Sequence, residues 1–238
     1  MARKILFVTP PLGAGAEVYV EMAAGLNRRG FEMEILAPLD SRAHHLDAGV
    51  RFHYFEVPEF NRWVGDCAFL ASQFLWGSGA QRALERLEHR FDVVFAHIPW
   101  GLAKVYAHRR ERPLVGLIEV CWSDSWPLFN DPAPAEPHPA WVNWKLACFL
   151  HEHTMRGFDR LIAPSEALRA HHAPKGLKNI DVIRYGRNPA RYRHDADRAA
   201  LRAKLGLPRE GTVVLTVGLD FARKGMHHFA EVARRLGG

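Results

Sequence analysis

Cysteine is scarce in this chain of 238 residues, which contains only Cys67, Cys121 and Cys148. Three widely spaced cysteines cannot build a disulfide framework or a zinc knuckle, so we expect reduced thiols in the core and no metal site. No apolar run approaches the length of a membrane span, and the run after Met-Ala-Arg-Lys is too short for a signal peptide. The expected location is therefore cytoplasmic.

Concentrated charge of one sign is missing as well. Lysine and arginine number 32 against 26 acidic residues, a net charge of +6, and the basic residues are scattered along the chain. This surplus favours anionic partners such as nucleotides, phosphosugars or an acidic membrane surface, but scattered cations give no support to a nucleic-acid partner. The composition, 48% hydrophobic and 24% charged, is typical of a globular protein with one large or two small domains.

The most informative stretch is Pro10–Gly30, which follows a short apolar run at Ile5–Val8. The run predicts a buried parallel strand. Gly13 and Gly15 then permit a tight turn and the close approach of a ligand to the backbone. From residue 16 the apolar positions recur at helical spacing, and the first turn of this predicted helix offers free N–H groups to an anion. The predicted apolar stripe consists of Val18, Met22 and Leu26, with Ala23 alongside.

This turn is an incomplete dinucleotide-binding fingerprint. The fingerprint requires glycines spaced G-x-G-x-x-G after a strand. Gly13 and Gly15 supply the first two, but Val occupies position 18. Two interpretations stay open, contact with a phosphate or diphosphate and a purely structural turn, while NAD binding is disfavoured.

Strands and helices alternate along the chain, which predicts an α/β fold with a Rossmann-like, doubly wound parallel sheet. Further strands are expected at 34–37, 50–57, 91–96, 114–120, 161–163 and 181–184, with 50–57 at an edge because charged residues interrupt it. Helices are expected at 61–87, 102–110, 140–157 and after Ser165, an N-cap. Segment 61–87, with a break near Gly77-Ser-Gly79, either packs on the sheet or presents its aromatic residues to a membrane or lipid acceptor.

Several residues with chemical potential follow predicted strands. Ligands of open parallel sheets bind outside the carboxyl ends of the strands. The glycine turn, His97 and Glu119 all lie at such ends. His97 is compatible with a structural or a catalytic role, whereas Glu119, in an apolar strand, needs a partner or a ligand. The proline-rich segment 127–139 predicts a long functional loop.

The last part of the chain predicts a change of domain. A basic helix at 195–205 precedes a β-branched run at Thr212–Gly218, and an amphipathic helix covers Met226–Leu236. One strand and one helix cannot enclose a core. We therefore expect a first domain at 1–188, a linker at 189–211, and at 212–238 the first β–α unit of a second Rossmann-like domain that is cut off.

Five different motifs follow one another along nearly the whole chain. They are Pro10-Pro-x-Gly-x-Gly15-Ala-Glu17, Leu161-Ile-Ala-Pro-Ser165-Glu166, Val182-Ile-Arg-Tyr-Gly186-Arg-Asn188, Leu201-Arg-Ala-Lys-Leu-Gly206-Leu-Pro208, and Val217-Gly218 followed by Arg223-Lys224-Gly225. In order and spacing they resemble the retaining GT-B glycosyltransferases of family four. The resemblance implies an N-terminal acceptor domain and a C-terminal donor domain around a cleft, and a reaction without metal or cofactor.

The resemblance also implies roles for single residues. Gly13 and Gly15 would face the donor diphosphate, and Lys224 would neutralise it. The family's usual arginine after Val-Gly is Leu219 here, so Arg223 is its expected substitute. Glu119 stands where many members carry histidine and becomes the catalytic candidate. The candidates on the acceptor side are His97, Trp100, Trp122 and Asp124.

A sugar would thus pass from a nucleotide-sugar to a glycan or lipid-linked acceptor. The loop Asp220-Phe-Ala-Arg-Lys-Gly225 and the acidic residue at position 119 are similar to those of lipopolysaccharide-core glucosyltransferases. That similarity implies envelope polysaccharide synthesis, with peripheral contact at the inner face of the plasma membrane. Two alternatives stay open: a non-catalytic fragment or acceptor-binding partner subunit, and a Rossmann oxidoreductase.

Overall fold

Among the described residues, seven parallel strands form one sheet. The computed structural model describes residues 3–9, 17–39, 49–57, 68–97, 112–118, 146, 149, 152–186, 197–216 and 225–236, without the side chains of 68–75. The strands are β1 (Lys4–Val8), β2 (Glu32–Pro38), β3 (Phe52–Phe55), β4 (Val93–His97), β5 (Leu114–Leu117), β6 (Arg160–Ala163) and β7 (Ile180–Val182). Their order is β3-β2-β1-β4-β5-β6-β7, so the predicted parallel α/β sheet is confirmed.

Helices lie between β1 and β2, between β3 and β4 and between β6 and β7, as a doubly wound fold requires, and two more follow β7. They are α1 (Glu17–Asn27), α2 (Ala68–Leu87), α3 (Glu166–His172), α4 (Arg198–Lys204) and α5 (Met226–Leu236), with single 3₁₀ turns at Glu88–Arg90 and Ala173–Lys175. Residues 152–155 are helical too. The described residues up to 186 belong to one compact unit, and those from 197 onward belong to a second.

Both faces of the sheet are covered. Alternate residues of a strand point to opposite faces. Leu6 and Val8 of β1 join a cluster that includes α2, whereas Phe7 joins a cluster that includes α1. The sheet face of α1 centres on Val20 and Ala23, both fully buried. Of the predicted stripe, Ala23 lies at this centre, Met22 and Leu26 are half-buried and pack against the same cluster, and Val18 is half-buried.

Helix α2 runs unbroken through Gly77-Ser-Gly79, where the sequence predicted a break. A Cβ atom at Gly79 would lie 2.6 Å from the Glu56 carbonyl oxygen and 3.0 Å from the Phe55 ring. Because Gly79 has no side chain, α2 can approach the β3 backbone closely. Trp76, three residues earlier, packs edge-on against Phe55 with a centroid distance of 5.6 Å. Residues 76–87 of this segment thus pack on the sheet, as one of its two expected roles required.

Local side-chain bonds fix the ends of several elements. Ser165 caps α3 as predicted, its hydroxyl accepting the Leu168 N–H at 3.3 Å. At the end of α1, the Asn27 side chain accepts the Met33 N–H at 2.6 Å and donates to the Met33 carbonyl at 3.2 Å. This clamp holds the helix end against the start of β2.

Strand β3 lies at the edge of the sheet, as its interrupting charges predicted. Glu34 of β2 binds both Arg51, at 3.1 Å, and His53, at 2.5 Å. His53 also meets the Phe91 ring edge-on, at 6.3 Å. The polar residues of this edge strand therefore fasten it to β2 while discouraging further strands from pairing with it.

The second unit consists of α4, α5 and the segment between them, as far as they are described. Arg202 of α4 is buried and donates to the carbonyls of Pro208, at 2.7 Å, and Gly211, at 2.6 Å. Arg234 and then Arg235 of α5 donate to the Glu231 carboxylate and hold its pKa below the usual range. The helix expected at Met226–Leu236 is confirmed.

The strand expected at Thr212–Gly218 is not formed in its described part, residues 212–216. A strand requires a hydrogen-bonded neighbour. No described residue pairs with this segment, and Leu215 is 79% exposed.

Several other expectations fall outside the described residues. They are the three cysteines, the helix at 102–110, the loop at 127–139 and the domain boundary at 188. In the described part of the chain, no helix is both long and apolar enough to span a bilayer.

Two helical glycines should respond to alanine with opposite signs. We expect Gly79→Ala to lower the free energy of unfolding by about 1–3 kcal/mol, because the new methyl group overlaps the β3 backbone. Gly25→Ala in α1 should raise it by up to about 1 kcal/mol, because the nearest atom, on Arg28, is 3.8 Å away and alanine favours helix. Urea denaturation of both variants measures the difference; equal effects would contradict the close approach of α2.

Candidate functional site

The strand order reverses between β1 and β4. From β1 the chain builds outward through β2 to β3, then returns to place β4 on the other side of β1 and continues outward to β7. Connections on the two sides of such a point diverge and leave a crevice outside the carboxyl ends of the strands. In the sequence, the glycine-rich turn follows β1 and precedes α1, so we expect it to lie at this crevice.

His97 is the last residue of β4 and lies beside that crevice. In register it pairs with Leu117 of β5, while Ala96 pairs with Val8 of β1. Its ring meets the Tyr19 ring of α1 edge-on, with centroids 5.4 Å apart. The sheet and the first turn of α1 together hold this imidazole at the carboxyl edge.

The Tyr19 ring is itself anchored in the core. It lies 5.3 Å from the Phe7 ring of β1, which lies 4.9 Å from the Phe95 ring of β4. Four rings thus run from the core to the carboxyl edge, ending at His97. Sequence analysis missed Tyr19; the available signal was an aromatic residue in the first turn of the helix after a glycine-rich turn.

Backbone pairing continues one residue beyond the strands at this edge. The Thr9 N–H donates to the Leu36 carbonyl at 3.0 Å, and the Ile118 N–H donates to the Ile162 carbonyl at 2.8 Å. Thr9 and Ile118 are both buried. The residues that follow them therefore start from fixed points: Pro10 leads into the glycine turn, and Glu119 comes directly after Ile118.

This arrangement offers two kinds of chemistry. The first N–H groups of α1 lack acceptors within the helix and carry its positive dipole end, which favours an anion. The imidazole of His97 can donate or accept a hydrogen bond through its ring nitrogens. No group of three or more metal-binding side chains occurs within the described segments.

Of the predicted site residues, the structure describes His97 alone. Gly13, Gly15, Trp100, Glu119, Trp122, Asp124, Arg223 and Lys224 lie outside the described residues, and their roles stay predictions. Two neighbouring elements are described: β5 ends two residues before Glu119, and α5 begins two residues after Lys224. Gly225, between Lys224 and α5, has a φ of 66°, which favours glycine at this point.

A parallel α/β sheet with a ligand crevice at its reversal point defines a Rossmann-like nucleotide-binding class of fold. The family model described as "Glycosyl transferase 4-like domain" matches residues 13–186. The chain belongs to this family. The match includes Gly13 and Gly15, three of the four rings (Tyr19, Phe95 and His97), and β2 to β7.

Solved structures of glycosyltransferases share this fold at low identity. Sucrose-phosphate synthase from Thermosynechococcus elongatus has a TM-score of 0.59 and 12% identity over 87% of this chain and 53% of its own. Alr3699/HepE from Anabaena, in complex with UDP-glucose, has a TM-score of 0.55 and 19% identity over 85% and 50%. UGT2 from Phytolacca americana has a TM-score of 0.53 and 15% identity over 78% and 53%.

The chain therefore spans about half the length of the solved structures it matches. No curated protein matches its sequence.

Proposed function

We propose that this chain takes part in the transfer of a sugar from a nucleotide-sugar donor to an acceptor hydroxyl. The observation that carries the proposal is the meeting of α1 with His97 at the reversal point of the sheet. In a chain of the glycosyl transferase 4-like family, that crevice is the natural place for a phosphate-bearing donor and its acceptor.

The solved neighbours support the donor class. The Anabaena protein is recorded in complex with UDP-glucose, and the Phytolacca protein with UDP-2fluoro-glucose and pterostilbene. We propose a nucleoside diphosphate-sugar as the donor of this chain as well.

The proposed chemistry rests on charge that grows as the glycosidic bond breaks. The departing diphosphate gains negative charge, which backbone N–H groups and cations stabilise more in the transition state than in the ground state. In this proposal Gly13 and Gly15 let the turn and α1 approach the diphosphate. Arg223 binds phosphate oxygens in two places, and Lys224 contributes a point charge.

Glu119 is proposed to act on the opposite partner of the same step. Its carboxylate would orient a hydroxyl of the donor sugar or the acceptor and stabilise positive charge at the anomeric carbon. It need not form a covalent bond. His97, Trp100, Trp122 and Asp124 would line the acceptor side, since they follow β4 and β5 in the sequence.

Finer features of the proposal come from the sequence motifs alone. They are retention of the anomeric configuration, an acceptor in lipopolysaccharide or another envelope polysaccharide, and work at the inner face of the plasma membrane. A second candidate function is binding of the acceptor without transfer. The observation that favours it is that the family match covers residues 13–186, the part that the sequence motifs assign to the acceptor, and does not reach Arg223 and Lys224.

The proposal is tested by transfer of labelled sugar from a panel of nucleotide-sugars to glycan and lipid-linked acceptors. Glu119→Gln keeps the shape of the side chain but removes its charge. We expect it to reduce turnover by about ten- to a thousandfold, roughly 1.4–4 kcal/mol in the barrier, with little change in melting temperature. Glu85→Gln on the exposed side of α2, whose carboxylate only accepts from Gln81, is the matched control.

The outcomes separate the two candidates. Transfer that depends on Glu119 supports catalysis, and acceptor binding without transfer from any donor supports the second function. A Glu119→Gln variant that melts much earlier but turns over normally would assign the carboxylate to structure.

The cationic loop before α5 gives a second prediction. Arg223→Ala and Lys224→Ala should each reduce turnover, because each removes about 2–4 kcal/mol of transition-state stabilisation, by analogy with the loss of one oxyanion-hole donor. Arg209→Ala removes an exposed charge from the same unit and should leave turnover unchanged. Steady-state kinetics with saturating acceptor measures all three; unchanged turnover in both loop variants would remove the loop from the donor site.

A further inference from the structure

A cavity of about 300 Å³ opens at the amino ends of the strands, the edge opposite the candidate site. Its walls come from the starts of β1 and β2 and from the residues just before β3 and β4. Small-molecule sites begin at about this volume. The proposed glycosyl transfer does not use this edge of the sheet, so it does not explain the cavity.

The cavity is held open by bonds that do not depend on a ligand. Asn27 clamps both backbone groups of Met33, and the Phe31 N–H donates to the Leu26 carbonyl at 3.2 Å. Met33 and Phe91 are buried, and Phe31 is half-buried. These three side chains give the cavity an apolar wall in a fixed position.

Three cations from different parts of the chain line the same cavity: Lys4, Arg51 and Arg90. Two lining carboxylates oppose them, so the lining carries one net positive charge. Lys4 lies 3.4 Å from Glu32, and Arg51 lies 3.1 Å from Glu34. The Lys4–Glu32 pair is half-exposed on both sides, so it contributes little and can exchange for another partner.

Arg90 supplies the surplus charge. Among the described residues it makes no ion pair, and its guanidinium lies 5.8 Å from the centre of the Phe91 ring. A guanidinium placed against an aromatic ring keeps its donor edge free for a planar or tetrahedral anion. The unopposed guanidinium therefore borders the apolar wall directly.

We propose that this cavity binds a small organic phosphate about the size of a phosphorylated monosaccharide. The phosphate accepts hydrogen bonds from Arg90, and Lys4 turns toward it from its weak pair with Glu32. The body of the ligand covers the half-buried Phe31 side chain. A phosphate fits better than a carboxylate because its second charge engages a second cation. This site is independent of the proposed glycosyl transfer.

Titration of the whole chain with glucose 6-phosphate, followed by amide NMR and calorimetry, tests the proposal. We expect binding that perturbs the amide signals of Phe31, Gly49 and Phe91 and leaves those of Thr9 and His97 unmoved. Neutral glucose should not bind. Arg90→Ala should weaken binding by at least about tenfold. Arg82→Ala, which removes an exposed arginine of α2 outside the cavity, should change it less than about twofold.

Arg90 is exposed, so its replacement should leave the melting temperature unchanged and the comparison valid. Equal losses in the Arg90 and Arg82 variants would overturn the proposal in favour of diffuse attraction to a basic surface. It is overturned equally by the absence of binding at millimolar ligand, or by perturbations confined to Thr9 and His97. Inorganic phosphate binding as tightly as the sugar phosphate would overturn the assigned ligand class, since the apolar wall would then contribute nothing.

Discussion

From Leu6 to Val8, strand β1 has no face or edge in contact with water, and the rest of the first unit is arranged around that constraint. Leu6, Phe7 and Val8 are fully buried, with α2 beyond one face and α1 beyond the other. Both edges pair with parallel strands. Every backbone polar group of a buried strand needs a partner, so β2 and β4 cannot be lost without exposing unpaired groups in an apolar core.

The same constraint creates the candidate site. The strands on both sides of β1 are parallel to it, so the connections to them run in opposite directions along the sheet. A crevice opens between these connections, at the carboxyl end of β1. The Phe7 ring of the sheet contacts the Tyr19 ring, and the Tyr19 ring contacts the His97 ring, with centroid distances of 5.3 and 5.4 Å. The described ring contact of the imidazole is thus with a residue that is anchored in the core.

Patterns with local causes could be predicted from the sequence, whereas relations between distant segments could not. Buried apolar runs marked the central strands such as β1 and β4, and Ser165 marked a cap, because burial and capping act within a few residues. Gly77-Ser-Gly79 was mistaken for a break, since only the position of β3 shows why Gly79 is small. Val20 was missed for a similar reason: the spacing predicts an apolar stripe, but packing against the sheet decides which side of α1 is fully buried.

The candidate site divides along the same line. That His97 lies at the carboxyl edge follows from parallel strands, so the sequence sufficed, while the position of the glycine turn stays a prediction. That Tyr19 contacts His97 depends on the angle at which α1 crosses the sheet, which no local pattern encodes. The strand expected at 212–218 is a case in which a local pattern was not sufficient. Its β-branched residues favour extension, but without a pairing partner among the described residues propensity alone does not make a strand.

The two edges of the sheet differ in how their strands are fixed. At the amino edge, carboxylates tie neighbouring strands together: Asp92 accepts the Lys4 N–H, and Asp159 accepts the Leu114 N–H, each at 2.8 Å. These bonds close the amino ends onto each other and make any cavity there preformed. At the carboxyl edge, the last described pairings are those of Thr9 and Ile118, and the sequence continues from them to the glycine-rich turn and to Glu119, where the predicted chemistry lies. Preformed walls suit selective binding of a small anion, whereas loops leaving a rigid edge can be placed around substrates of different shapes.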